Sequence, residues 1–107
     1  GGATVTETPA VLLPKKTAIK SLKGGKKRFT VKYRRISGVD GCVIQYSLKK
    51  SMKGAKTVKI KGAKNAAKTV KKLKKKKTYY VRVRTYKVIN GNKFFSKYTK
   101  TQKVKTK

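Results

Sequence analysis

The stretch that decides the fold is KTVKKLKKKKTYYVRVRTYK, Lys68–Lys87. Its first half is a lysine run, in which six of the seven residues from Lys71 to Lys77 are lysine. Alone, such a run reads as a disordered basic tail or a nucleic-acid grip. Its second half alternates strictly. Tyr79, Val81, Val83 and Thr85 fall on one side, and Tyr80, Arg82, Arg84 and Tyr86 fall on the other. Period-2 alternation of β-branched and aromatic residues is the signature of a half-buried strand.

The same pattern recurs outward from this stretch. KRFTVKYRR (27–35) sets Phe29, Val31 and Tyr33 against Thr30, Lys32 and Arg34, and CVIQYS (42–47) sets Cys42, Ile44 and Tyr46 against Val43, Gln45 and Ser47. KTVKIKG (56–62) alternates Val58 and Ile60 with lysines. TVKKL (69–73) is short, KFFSKYTKTQKVK (93–105) follows a turn, and TAIKSL (17–22) supplies a first strand. Gly24-Gly25, Gly38-Val39-Asp40-Gly41, Gly54, Gly62 and Asn90-Gly91-Asn92 punctuate the runs. The Asn-Gly pair is a strong hairpin signal, because both residues tolerate positive φ. No long segment has helical periodicity. Seven short strands predict an all-β, antiparallel sandwich.

Composition bounds the function. The 107 residues suit one domain. Thirty-three Lys and Arg stand against two acids, Glu7 and Asp40, for a formal net charge of +31. Such a chain attracts any polyanion. Only five cations are arginine, namely Arg28, Arg34, Arg35, Arg82 and Arg84. Lysine is a hydrated point charge, so the surface suits diffuse attraction more than base-specific reading. Residues 1–14 contain no Lys or Arg and hold Pro9 and Pro14, and they read as a linker or extended lead-in to a domain spanning 15–107. The start at Gly1-Gly2 reads as a piece of a longer parent chain. No apolar stretch approaches the roughly 18 residues that would span a bilayer, so membrane insertion is not expected.

The residues now assembled resemble a fibronectin type III domain, in particular the lysine-rich modules of surface and cell-wall proteins of gut Firmicutes. The resemblance rests on RFTVKYRRISGVDGCVIQYS (28–47) and LKKKKTYYVRVRTYKVINGNKFFSKY (73–98) and covers the chain from about Lys15 to Lys107. It implies a seven-stranded, immunoglobulin-like sandwich. Tyr33 stands where the family has an inward Trp, and Cys42, Ile44 and Tyr46 stand on its Tyr-x-Val/Ile-x-Tyr strand. Leu73 and Tyr79 have the spacing of the leucine and tyrosine that close its tyrosine corner, with the Tyr79 hydroxyl bonded back to the turn. Val81 and Val83 continue the inward face, and Tyr98 stands where the bacterial modules have Trp. The implied core is thus Tyr33, Ile44, Tyr46, Leu73, Tyr79, Val81, Val83 and Tyr98. The lysine run becomes a turn anchored by Leu73, with Lys71, Lys72, Lys74, Lys75, Lys76 and Lys77 turned to water as candidate polyanion contacts. The family usually has a glycine in this turn, whereas Lys74–Lys77 has none.

The residue inventory argues against catalysis and metal binding. There is no His, the two acids lie in different regions, and Cys42 is the sole cysteine. Neither paired carboxylates nor a Ser–His or Cys–His pair can be assembled, and no metal set is present, so no cofactor and no enzyme activity are expected. Cys42 reads as a small buried hydrophobe. Tyr80, Arg82, Arg84 and Tyr86 form a candidate ligand-binding face for an anionic or glycan ligand, weighed against ordinary cross-strand packing. The leading expectation is a non-catalytic spacer or adhesion module of a bacterial extracellular or cell-wall protein. Its partners would be neighbouring domains of the parent chain and anionic wall polymers or host polyanions such as glycosaminoglycans. The alternative is a nucleic-acid-binding basic β-domain.

Overall fold

The computed structural model describes residues 13–107, so most of the lead-in read at 1–14 lies outside the described residues. The alternating runs form β1 (Ile19–Gly25), β2 (Arg28–Tyr33), β3 (Gly41–Ser47), β4 (Lys56–Lys61), β5 (Ala67–Val70), β6 (Thr78–Ile89), β7 (Asn92–Phe95) and β8 (Gln102–Lys105). All pairings are antiparallel. One sheet has the order β1-β2-β5, and the other has β4-β3-β6-β7, with β8 also paired to β6. Two such sheets, each apolar on one face, make a sandwich.

The core follows from the alternation. Phe29, Val31 and Tyr33 from β2 meet Cys42 and Ile44 from β3 and Val81 and Val83 from β6, all buried. Val70, Leu73, Tyr79, Ile60 and Val104 complete the cluster, and the half-buried Tyr46 packs against it. Phe29, Tyr46 and Tyr79 form an aromatic cluster, with Phe29 and Tyr46 edge to face at 5.7 Å. Tyr33 is almost fully buried, and its hydroxyl has no hydrogen-bond partner. Burial, with the Cys42 thiol beside it, pushes the Tyr33 hydroxyl well above the usual tyrosine value.

Eight strands are present where seven were expected, because the last run is broken in two. β7 pairs with the C-terminal part of β6, from Tyr86↔Phe95 to Ile89↔Asn92, and β8 pairs with its start, from Thr78↔Lys105 to Val81↔Gln102. Between them, two hydroxyls replace backbone carbonyls. Ser96 Oγ accepts the Thr85 N–H at 2.9 Å, and Thr99 Oγ1 accepts the Val83 N–H at 3.1 Å. The Ser96 and Thr99 N–H groups donate back to the Thr85 and Val83 carbonyls. The backbone groups of β6 stay satisfied, as burial demands, while the edge strand bulges away.

The ends of the described chain close the sandwich. Thr17 Oγ1 donates to the Arg34 carbonyl at 2.6 Å, and the buried Thr85 Oγ1 donates to the Lys15 carbonyl at 2.7 Å. The residues after β8 cross to β1, where the Lys107 N–H donates to the Gly25 carbonyl. A Cβ at Gly24 would run into the Lys105 carbonyl, so only glycine fits this close approach.

Candidate anion-binding surface

The lysine run is an ordered turn joining β5 to β6. Leu73 is buried at its centre, and Lys71, Lys72, Lys74, Lys75, Lys76 and Lys77 are all exposed. Two buried side chains grip the turn. The Tyr79 hydroxyl accepts the Lys74 N–H at 2.9 Å. Thr106, only 2% exposed, donates its hydroxyl to the Lys74 carbonyl at 2.6 Å and accepts the Lys77 N–H at 3.0 Å. Lysine also occupies positions that suit glycine: Lys72 and Lys76 have φ of 60° and 53°, as does Lys27, at 55°, in the β1–β2 turn. The left-handed region costs an L-residue roughly 1–2 kcal/mol. The turn therefore presents ammonium groups from a fixed backbone, at some cost in strain.

The outer face of β6 is organised differently from a free binding face. Arg84 is stacked between two rings, with its guanidinium carbon 3.8 Å from the Phe95 centroid and 4.5 Å from that of Tyr98. Arg82 lies on the same Tyr98 ring at 4.0 Å, and its Nε and Nη2 donate to Gln45 Oε1 at 2.9 and 2.7 Å. The result is a continuous ladder, Gln45–Arg82–Tyr98–Arg84–Phe95. Stacking on a ring face suits the planar, weakly hydrated guanidinium. Tyr86 extends the ladder through Phe95, at 6.4 Å, and is buried under the Lys59 and Lys93 side chains, whose ammonium groups lie 5.3 and 5.1 Å from its ring. Tyr80 stands apart, across the sheet from Ser47 and Lys103, beside a shallow recess. Of the four residues proposed for a ligand face, three therefore belong to one packed stripe whose rings and guanidiniums already engage each other.

Tyr98 is accordingly not a core residue. It is half-buried on the outer face, outside the cluster between the sheets. The cause is the bulge: Phe95 and Tyr98 are three apart, an odd spacing that strict alternation would send to opposite faces. The hydroxyl pairing of Ser96 and Thr99 shifts the register and places both rings over the arginines. The ring partners Phe95 and Tyr98 were missed from sequence. The signal was present only as hydroxyl residues interrupting an alternating run.

The charges are largely unopposed. Asp40 is the only acidic side chain among the described residues, and its Oδ2 is occupied by the Val88 N–H at 2.6 Å. The Lys93 ammonium beside Lys59 holds Lys59 below the usual lysine value, because it can donate a hydrogen bond to the neutral Lys59 amine but only repels its ammonium. No group of three His, Cys, Asp or Glu able to hold a metal occurs among the described residues. Cys42 is a buried free thiol whose pKa is raised by burial. No helix among the described residues is long and apolar enough to cross a membrane.

No family model matches the chain, and no curated protein matches it. Solved structures do match in fold. The FN1–FN3 domains of chicken CNTN1 align over 89% of this chain and 30% of that chain, with a TM-score of 0.64 and 18% identity. A beta-1,2-glucanase from Parabacteroides distasonis aligns over 88% of this chain and 14% of that one, with a TM-score of 0.68 and 15% identity. A myokine aligns over 88% of this chain and 95% of that one, with a TM-score of 0.59 and 17% identity. The chain thus spans a minor part of the first two. The fold is a fibronectin type III-like, immunoglobulin-like β-sandwich.

Proposed function

We propose that this chain is a non-catalytic fibronectin type III-like module of a bacterial extracellular or cell-wall protein, spacing or presenting neighbouring domains and held against anionic polymers by many weak lysine contacts. The observation that carries this reading is the tied β5–β6 turn. Six exposed lysines sit on a backbone fixed by Tyr79 and Thr106, two of them in left-handed geometry. A flexible basic tail would need none of these ties. With almost no carboxylate to oppose them, the ammonium groups spread over both sheets raise the local concentration of any polyanion, and salt screens the attraction. The match to a small part of a bacterial glucanase chain supports reading the module as an accessory to larger proteins.

The nucleic-acid alternative gains less support. Sequence-tolerant binding of single strands uses exposed rings on which bases stack. Here Phe29, Tyr33, Tyr79 and Tyr86 are buried and Phe95 and Tyr98 are covered by arginine, which leaves three half-buried rings, Tyr46, Tyr80 and Phe94. The test is titration against heparin, teichoic acid and duplex DNA from low to physiological salt. Parallel weakening of all three with salt is expected. If DNA alone keeps sub-micromolar affinity at physiological salt, the surface-module reading is abandoned.

A further inference from the structure

One place on this surface is a shaped site as well as a charged one. At the end of the sandwich, the β3–β4 turn and the β5–β6 turn face each other across a cleft of about 410 Å³. That volume lies within the usual range for small-ligand sites. Its floor is apolar, formed by Tyr46, Leu48, Leu73 and Tyr79. Its rim carries Lys49, Lys53, Lys56, Lys72 and Lys74, with no acid among the lining residues. Leu48, at 43% exposed, is one of the few large apolar side chains left open to water.

Both rims are rigid. The buried Ser47 hydroxyl donates to the Lys53 carbonyl at 2.7 Å and accepts the Lys49 N–H at 3.1 Å, fixing the β3–β4 turn. The opposite rim is the turn tied by Tyr79 and Thr106. A preformed site avoids much of the ordering cost of binding.

We infer that this cleft binds a sugar unit of an anionic polysaccharide, with the C–H face of the ring on the Tyr46–Leu48 floor and its sulfate or carboxylate groups on the lysine rim. Charge and lining both suit such a ligand. Five ammonium groups without a counter-charge attract anions to the periphery, and the apolar floor accepts a hydrocarbon face between them. A polyol phosphate without a ring satisfies the rim alone. The inference rests on the polyanion-binding reading above and adds one preferred site to the diffuse attraction.

The experiment compares two triple variants of equal net charge. One is Lys49→Gln with Lys53→Gln and Lys56→Gln on the cleft. The other is Lys20→Gln with Lys23→Gln and Lys32→Gln on the β1-β2-β5 sheet, where all three lysines are exposed. Probes are a sulfated tetrasaccharide, a uronic-acid tetrasaccharide, a glycerol phosphate oligomer of matched charge and a single-stranded oligonucleotide, each titrated from low to physiological salt. The cleft triple is expected to lose at least about tenfold in affinity for a tetrasaccharide, and the control triple no more than about threefold. Leu48→Ser, which alters no charge, should weaken the tetrasaccharide several-fold without changing the salt dependence, and should leave the glycerol phosphate oligomer unaffected. Preference between the two tetrasaccharides distinguishes a host sulfated glycan from a wall uronic polymer. Equal losses in the two triples, with Leu48→Ser silent, overturn the cleft and leave the diffuse reading standing. The same cleft dependence for the oligonucleotide overturns the polysaccharide assignment. Failure of the unaltered protein to bind any of the probes even at low salt would sink the polyanion reading itself.

Discussion

Removing the ties on the lysine turn should destabilise the whole domain, by an amount the geometry sets. Tyr79→Phe deletes only the hydroxyl that accepts the Lys74 N–H. The ring stays packed against Phe29 and Tyr46. Because Lys74 is exposed, water can satisfy the freed N–H, so the cost is that of one ordinary hydrogen bond, about 1 kcal/mol. Thr106→Val keeps the side-chain shape but removes bonds to both the Lys74 carbonyl and the Lys77 N–H from a site 2% exposed. That loss should come to about 2 kcal/mol. Both side chains hold the same residue, Lys74, one by its N–H and the other by its C=O. Once one tie is cut, the other holds a looser turn. The double variant should therefore lose less than the sum of the singles, by about 0.5 kcal/mol or more. Urea titration followed by far-UV circular dichroism measures all three. In thermal melts each kcal/mol corresponds to roughly 4–8 °C for a domain this size. Single variants within about 0.3 kcal/mol of the parent, or strict additivity, would refute the idea that the turn is held by these two groups. Since neither change alters charge, the salt dependence of polyanion binding should be unchanged.

Three further outcomes are expected. Lys72→Gly and Lys76→Gly should each stabilise by about 0.5 kcal/mol in urea titration, as relief of left-handed strain exceeds the added freedom of the unfolded chain; a loss of stability would contradict the strain. Arg82→Lys should cost about 1 kcal/mol through the lost Gln45 bonds and ring stacking, and a cycle with Tyr98→Leu should show positive coupling; independent effects would dissolve the ladder. Cys42 has its thiol pKa raised by burial above the ordinary value of 9.0, so its contribution is complete below that pH and is lost as pH rises through the folded value. The stability difference between the parent and Cys42→Val should therefore shift in favour of valine as pH rises above about 9, and a pH-independent difference would place the thiol in water.

The fold was legible because burial in a sheet leaves a period-2 trace, and here Lys, Arg or another polar residue holds most outward positions. Phe29-Val31-Tyr33 and Val81-Val83 announce their faces without ambiguity. The spacing of Leu73 and Tyr79 marked the turn, because a ring at the start of one strand can reach back only a fixed number of residues. The arginine ladder was half legible. Arg82 and Arg84 could be put on one outer face, but their rings come from a bulged edge where alternation no longer holds, and Tyr98 was consequently assigned inward. The cleft was not legible at all. Its rims lie in turns more than fifteen residues apart, each reading locally as solvated lysine, and only the closure of the sandwich brings them face to face.

The break between β7 and β8 has a consequence for how such modules behave when crowded. A sheet margin with regularly spaced free N–H and C=O groups invites a strand from a neighbour. Here the margin beside β6 is interrupted at residues 96–101, where the chain bows outward and its hydroxyls turn back to β6. The other margin of this sheet, β4, carries Lys56, Lys59 and Lys61. A second molecule finds neither an unbroken row of partners on one side nor an uncharged approach on the other. Copies strung along one chain, or packed densely on one surface, should not fuse through this sheet into a shared one.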